Sequence, residues 1–325
     1  MIIPKYWSEA RVQQRLKGQQ ITVKRLGWSN LNQEDADNKA DTRAQDAIKR
    51  LFAGEKLARR EPKVAYNGAE GIPIREEIVD TQDDTIITRN SYGALCINSL
   101  NVLFVDIDYY TNPRRGLWTA TITSLLILSG LTAIYSQSWI LFIALAIFSL
   151  FLAIVIVGLT HNIYIKLCGG EEKIAMSAIE SFSQQNPEWH LRVYQTPAGL
   201  RVLVMQQTFE PRQQDVKNCF KQMRADPLYA LMCHNQQCFR ARVSPKPWRI
   251  DNKRLKPSLG RWPIEDHNKL TLRKQWVNQY ERDARNYASC RFLKTLGNHK
   301  TTIETQTVQR LHDKLCQANS QLPLA

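Results

Sequence analysis

Two long apolar runs dominate the hydrophobic pattern: LWTATITSLLILSGLTAIY (Leu117–Tyr135) and WILFIALAIFSLFLAIVIVGL (Trp139–Leu159), joined by Ser136-Gln137-Ser138. From Gly116 to Thr160 the chain has no Lys, Arg, Asp, Glu or His. Runs of about 19 and 21 residues reach roughly 30 Å as helices, the thickness of the bilayer hydrocarbon. A helical hairpin is the structure that satisfies every backbone group there with so short a link. Trp118, Tyr135, Trp139 and Tyr164 fall at or near the ends of the runs, where amphipathic rings favour the interface. The competing reading is the buried hairpin of a large soluble core. Such helices usually keep a polar stripe, whereas these runs offer only hydroxyls, which can bond back to their own helix.

Outside the hairpin the pattern predicts mixed elements. Residues Asn32–Glu55 place Ala40, Ala44, Ala47, Ile48, Leu51 and Phe52 at roughly helical spacing, with Gly54 near the end. A turn-rich loop, EPKVAYNGAEGIPIREE, follows. DDTIITRN (Asp83–Asn90) and GALCINS (Gly93–Ser99) read as a strand hairpin, and NVLFVDIDYY (Asn101–Tyr110) as a strand buried on both faces. Beyond the apolar runs, Glu171–Pro187 reads as an amphipathic helix. His190–Thr196 and Leu200–Thr208 read as a β-hairpin around Pro197-Ala198-Gly199. Helices over Gln213–Ala225 and from Pro227, a strand in Phe239–Trp248, and a polar helical tail from about Ile264 complete the pattern. That tail includes KQWVNQYERDARNYASCRFLKTLG and TVQRLHDKLCQAN.

Strands on both sides of the apolar runs point to one α+β cytoplasmic domain with a two-helix transmembrane hairpin inserted in it, since separate short sheets would leave open edges. The expected division is residues 1–113, the hairpin at 117–159, and 165–325 completing a sheet with the first part. Arg114 and Arg115 precede the hairpin, Lys166 follows it, and its turn is uncharged. The positive-inside rule then puts both termini in the cytoplasm, with the protein multi-pass in a bacterial-type inner membrane. The beginning, MIIPKYWSEARVQQR, lacks the apolar stretch of a signal peptide.

Charge sharpens this. Of the formal net charge of +14, residues 1–116 carry +2 and residues 160–325 carry +12. The basic half would face the anionic inner leaflet and any cytoplasmic polyanion. An ordinary basic, soluble domain would show the same excess. Seven cysteines at scattered spacing, on a cytoplasmic chain, suggest reduced thiols rather than a disulfide framework. Cys233, His234 and Cys238 have an allowed zinc spacing but lack a second pair of ligands, so buried thiols are the simpler reading.

Three constellations could carry chemistry. Asp106 and Asp108 lie two apart on an apolar strand, so both carboxylates share one face. A hard divalent cation such as Mg²⁺ or Mn²⁺ would relieve their repulsion and could meet substrate phosphates. The alternative is an Asp capping a turn and an Asp paired with an Arg such as Arg114. Second, the turn from Thr196 through Gly199 would let backbone approach a phosphate, with Arg201 on the following strand. Third, Arg240 to Arg261 holds eight basic residues against Asp251 alone. Within it Arg240 and Arg242 share a strand face, and Lys246 and Arg249 flank Trp248. Such a run suits a polyanion, or equally a basic loop lying under the bilayer.

The order LFVDID, helix, TPAGLRVLV, helix and R-x-R-x-x-P resembles, remotely, the palm of the archaeo-eukaryotic primases (primase-polymerases). That resemblance implies metal carboxylates at Asp106 and Asp108 and a phosphate-side loop at Thr196–Leu200. The sequence departs from the family where Arg201 stands in the place of a His, and where Asn235, Gln236 and Gln237 replace a third acid. A site so altered would bind rather than polymerise. IPKYW, REPKVAYNGAEGIPIREE, ITRNSYG and FRARVSPKPWR also resemble a family of uncharacterised bacterial two-span membrane proteins, which implies no activity. The expected function is therefore non-catalytic binding of a polyanion (nucleotide, nucleic acid or anionic lipid head group) at the bilayer. The alternative is a metal-dependent enzyme that processes nucleotides or phosphates. A channel is disfavoured, because no ionisable residue lines the spans.

Overall fold

The computed structural model describes residues 3–325 except 17, 62–71, 110–112, 114, 254–261, 263 and 265. Much of the turn-rich loop, and the second half of the basic run, therefore lie outside the described residues. The fold is mixed α+β.

Residues 6–29, to which the pattern above assigns no element, form an antiparallel hairpin of β1 (Tyr6–Leu16) and β2 (Gln19–Ser29). Leu16 pairs with Gln19 across a two-residue link that ends at Gly18, whose φ of +79° suits glycine. Helix α1 (Gln33–Phe52) packs on this hairpin, capped by the Asn32 side chain, which accepts from the Asp35 amide at 2.8 Å. Its buried stripe is mostly alanine (Ala36, Ala40, Ala44, Ala47), so helix and sheet approach closely. At Gly27 a Cβ would run into the Ala36 carbonyl oxygen.

Strands β3 (Glu77–Gln82), β4 (Thr85–Arg89) and β5 (Leu95–Ser99) form a meander, and β6 (Phe104–Asp108) follows. Then come α2 (Arg115–Ser136) and α3 (Trp139–Leu167), both long and apolar enough to cross a membrane. Ser149, Ala153, Val157 and His161, one every four residues, form the buried face of α3. Ser149 Oγ lies 3.1 Å from Ser129 Oγ on α2, so small residues let the helices close on each other. Thr121, Thr132 and Thr160 donate to carbonyls of their own helices. The outward faces leave Ile127, Leu131, Ile134, Phe148 and Phe151 exposed.

After the hairpin come α4 (Glu171–Gln185), β7 (His190–Thr196), β8 (Gly199–Val204), α5 (Gln214–Gln222), α6 (Pro227–Gln236) and β9 (Phe239–Arg242). A 3₁₀ turn, Pro247–Arg249, leads to α7 (His267–Ala284), β10 (Arg291–Gly297) and α8 (Ile303–Cys316). The polar tail is therefore not helical throughout: residues 291–297 form a strand on β7. Pairing there covers an edge that β7 would otherwise expose, and this outweighs local helix preference.

Strands from the two sides of α2–α3 meet in two four-stranded sheets rather than one. Their orders are β3-β4-β5-β9 and β10-β7-β8-β6, with every pair antiparallel. Ile97, Val105, Leu191, Val202, Phe239 and Ala241 belong to one buried apolar cluster that spans both sheets.

Candidate functional site

Strands β6 and β8 pair with Asp106 opposite Arg201 and Asp108 opposite Gly199. The pleat sets both carboxylates on one face, but their surroundings differ. Arg201 Nε and Nη2 donate to Asp106 Oδ1 and Oδ2 at 2.7 and 3.2 Å. Its Nη1 donates to the Arg242 carbonyl at 2.8 Å and lies 3.4 Å from His312 Nε2. Burial opposes the Arg201 charge, but Asp106 more than offsets this and holds its pKa above the ordinary value. Asp106 is thus the counter-ion of the buried Arg201; Arg114, the partner suggested from the sequence, lies outside the described residues.

Asp108 is left facing the site. Burial by the surrounding walls pushes its carboxyl up, and Asp226 and Asp106 push it further. Asp226, which the sequence did not single out, arrives through its backbone: its amide donates to the Asp106 carbonyl at 2.9 Å. Its carboxylate caps α6 through the Leu228 and Tyr229 amides. Tyr229 in turn donates its hydroxyl to the Phe104 carbonyl at 2.9 Å, locking α6 to β6.

The basic residues also divide by role. Arg240 is buried, and its Nη2 donates to Glu76 Oε2 and Oε1 at 2.7 and 2.9 Å while Nη1 donates to Asn98 Oδ1. It ties β9 to the segment before β3. Arg242, Lys246 and Arg249 instead gather around open space. The Nη1 atoms of Arg242 and Arg249 are buried and have no hydrogen-bond partner among the described residues. Burial lowers the pKa of Lys246 and of Arg249, and Arg242 lowers both further, partly opposed by Asp108. Trp248 supports this group: Lys246 Nζ sits 5.5 Å from its ring centroid, and Tyr92 packs edge-on against it at 5.2 Å.

One cavity of about 200 Å³ collects these residues. Eight of the nine sequence candidates line it: Asp106, Asp108, Thr196, Arg201, Arg240, Arg242, Lys246 and Arg249. Gly199 does not, although its neighbours Ala198 and Leu200 do. Its place is explained by packing, since a Cβ there would collide with the Ile107 carbonyl oxygen. Tyr92, Cys96, Ile107, Asp226 and Tyr229 complete the lining; a turn tyrosine and a helix cap carry no distinctive sequence signal. A second cavity, about 420 Å³, shares Ile107, Asp108 and Asp226 with the first. It runs between α4 and the start of α2, with Ile174, Ala178 and Met223 on its apolar wall and Arg115 at its rim.

Cys233 and Cys238 are buried in different apolar clusters. Burial raises both thiol pKa values, that of Cys238 to about 11. With His234 they do not bring three donor atoms together among the described residues.

No family model matches the chain, and no significant match was found among curated proteins or solved structures.

Proposed function

We propose that the chain is a membrane-anchored α+β protein that binds a phosphate-bearing anion, without catalysis, in a cationic pocket on its cytoplasmic side. The observation that carries this reading is the pair of buried, acceptor-less Nη1 atoms on Arg242 and Arg249, lining one cavity with Lys246. Buried donors without acceptors are costly, and three mutually repelling cations are relieved most directly by an anion with several acceptor oxygens. A cavity of about 200 Å³ suits one phosphate group with its immediate substituent rather than a nucleic-acid strand. The membrane assignment is supported by α2 and α3, whose apolar side chains face outward instead of into a core. With both termini cytoplasmic in an inner membrane, Arg115 marks the bilayer boundary, and the pocket would sit beside the inner leaflet.

Detergent-purified protein tests this by titration with a soluble nucleotide and with vesicles containing an anionic phospholipid, against neutral vesicles. Saturable binding that weakens with salt and falls at least tenfold in Arg242→Ala/Arg249→Ala is expected. Binding to neither, or binding unchanged in that variant, would overturn the reading. A phospholipid response without a nucleotide response identifies the head group as the source of the phosphate.

The position of Asp226 beside Asp108 favours one second reading, a metal-dependent enzyme acting on nucleotides or phosphates with Mg²⁺ or Mn²⁺ held by these carboxylates. Asp106, joined to Arg201, would then contribute little to the metal. Calorimetry with Mn²⁺ and nucleotide decides it: heat that Asp108→Asn removes supports the enzyme, and absence of heat in the wild type eliminates it.

A further inference from the structure

Behind Arg201, on the side away from Asp106, the fold assembles three donor side chains that the anion pocket does not use. Cys290 immediately precedes β10, while His312 and Cys316 stand one turn apart on α8. All three are fully buried. One ligand atom from each, the two Sγ atoms and an imidazole nitrogen, lies within 4.8 Å of the others. Cys290 Sγ is 3.8 Å from His312 Nε2.

The imidazole is oriented for ligation. His312 Nδ1 lies 3.1 Å from Asp313 Oδ1. Asp313 is itself fixed by Arg192 Nη2 at 3.0 Å and by Gln309 Nε2 at 2.6 Å, both on Oδ2. A carboxylate on Nδ1 holds the proton there and presents the Nε2 lone pair toward the two sulfurs, the arrangement by which metal-bound histidines are fixed. The i, i+4 spacing of His312 and Cys316 puts both on one helix face, and Cys290 closes the site from the strand.

We propose that Cys290, His312 and Cys316 form a buried site for a thiophilic divalent ion of the zinc class. Donor chemistry selects this class: two sulfurs and one imidazole suit a borderline-soft ion, not the hard cations that carboxylates take. Charge agrees. Two thiolates neutralise a divalent ion, so the loaded site adds no net charge beside the Arg201 guanidinium, which Asp106 already balances. Three protein donors leave a fourth position for water or a small ligand. The site would clip α8 to the start of β10 and form a fixed wall behind Arg201. Because it is fully enclosed, the ion would enter as the chain folds rather than by exchange with solvent.

The full chain, purified in detergent without chelator, should carry about one equivalent of zinc by elemental mass spectrometry. Protein denatured, stripped and refolded with Co²⁺ should show a thiolate-to-cobalt charge-transfer band. Cys290→Ser and Cys316→Ser should each lose that band, whereas Cys233→Ser, which removes a buried thiol elsewhere, should keep it. Asp313→Asn, which leaves all three ligands in place, should weaken zinc binding about 10–100-fold. Two results would overturn the site: a wild-type chain that folds without stoichiometric zinc and gives no cobalt band, or a band that survives loss of Cys290 and Cys316. A Cys290–Cys316 disulfide in freshly purified, metal-free protein would do the same.

Discussion

Asp106 and Arg201 face each other across the β6–β8 ladder and are joined by two hydrogen bonds, of 2.7 and 3.2 Å. The Arg201 side chain is 3% exposed and that of Asp106 31%. Removing one member strands a buried charge, whereas removing both leaves only a packing change. Asp106→Asn should therefore cost about 3 kcal/mol, the lower end for a broken buried pair because Asp106 keeps some water. Asp106→Asn/Arg201→Met should recover much of that loss. Denaturant titration of the four proteins of this cycle measures it, and a double variant as unstable as the sum of the singles would count against the pairing.

The arginines of β9 and its following turn should separate by experiment although they look alike in the sequence. Arg240 donates to both oxygens of Glu76, and the two side chains are 2% and 7% exposed. Arg240→Ala should destabilise the protein by about 3–5 kcal/mol. Arg242→Ala and Arg249→Ala remove cations whose buried Nη1 atoms lack acceptors, so stability should hold or rise, by up to about 1–3 kcal/mol. Anion binding should fall at least tenfold in each. Thermal unfolding together with a binding isotherm on the same samples makes the comparison.

That division shows what could be read from the chain. The candidate residues were legible because strand period and turn spacing put Asp106, Arg201, Arg240 and Arg242 on neighbouring faces. Their individual roles were not. Whether an arginine meets Glu76 or an empty cavity depends on a pairing 164 residues apart in the sequence, which no local pattern encodes. Likewise α1 and the β7–β8 hairpin follow their periodicity closely. The β1–β2 hairpin and β10 escaped because mixed-charge strands show little alternation, and β10 depends on the free edge of β7.

The pocket also carries a pH signature. Lys246 has a pKa below its ordinary 10.5, lowered first by burial and then by Arg242 and Arg249. An anion favours the protonated amine. Affinity should thus fall as pH rises through that depressed pKa. Conformational stability should move the other way, because between the folded value and 10.5 the unfolded chain binds the proton more tightly. Asp108 has the opposite sense. Its raised pKa means the native state is penalised when the carboxyl is ionised. Asp108→Asn should gain on the order of 0.5 kcal/mol at neutral pH, a small figure because solvent screens this partly exposed group. The gain should vanish as pH falls through the folded pKa toward 3.8. Denaturation curves for wild type, Lys246→Met and Asp108→Asn across pH test the two stability signs, and anion-binding isotherms over the same pH range test the affinity.

Gly199 distinguishes a phosphate-cradling turn from a packing constraint. It pairs with Asp108 and Thr196, and the Ile107 carbonyl oxygen occupies the space a Cβ would need. The obstacle is backbone, which cannot swing aside as a flexible side chain would, so Gly199→Ala must push β8 away from β6. A shift of that kind should cost about 1–3 kcal/mol, as overpacking does elsewhere. It should also loosen the Asp106–Arg201 pair two residues along the ladder. Anion affinity per folded molecule should nevertheless stay within about threefold, because the cations of the pocket sit on β9 and the turn after it. If Gly199 instead let a phosphate approach the backbone, the alanine variant would lose affinity at unchanged stability. Unfolding and binding measured on one Gly199→Ala preparation separate the two outcomes.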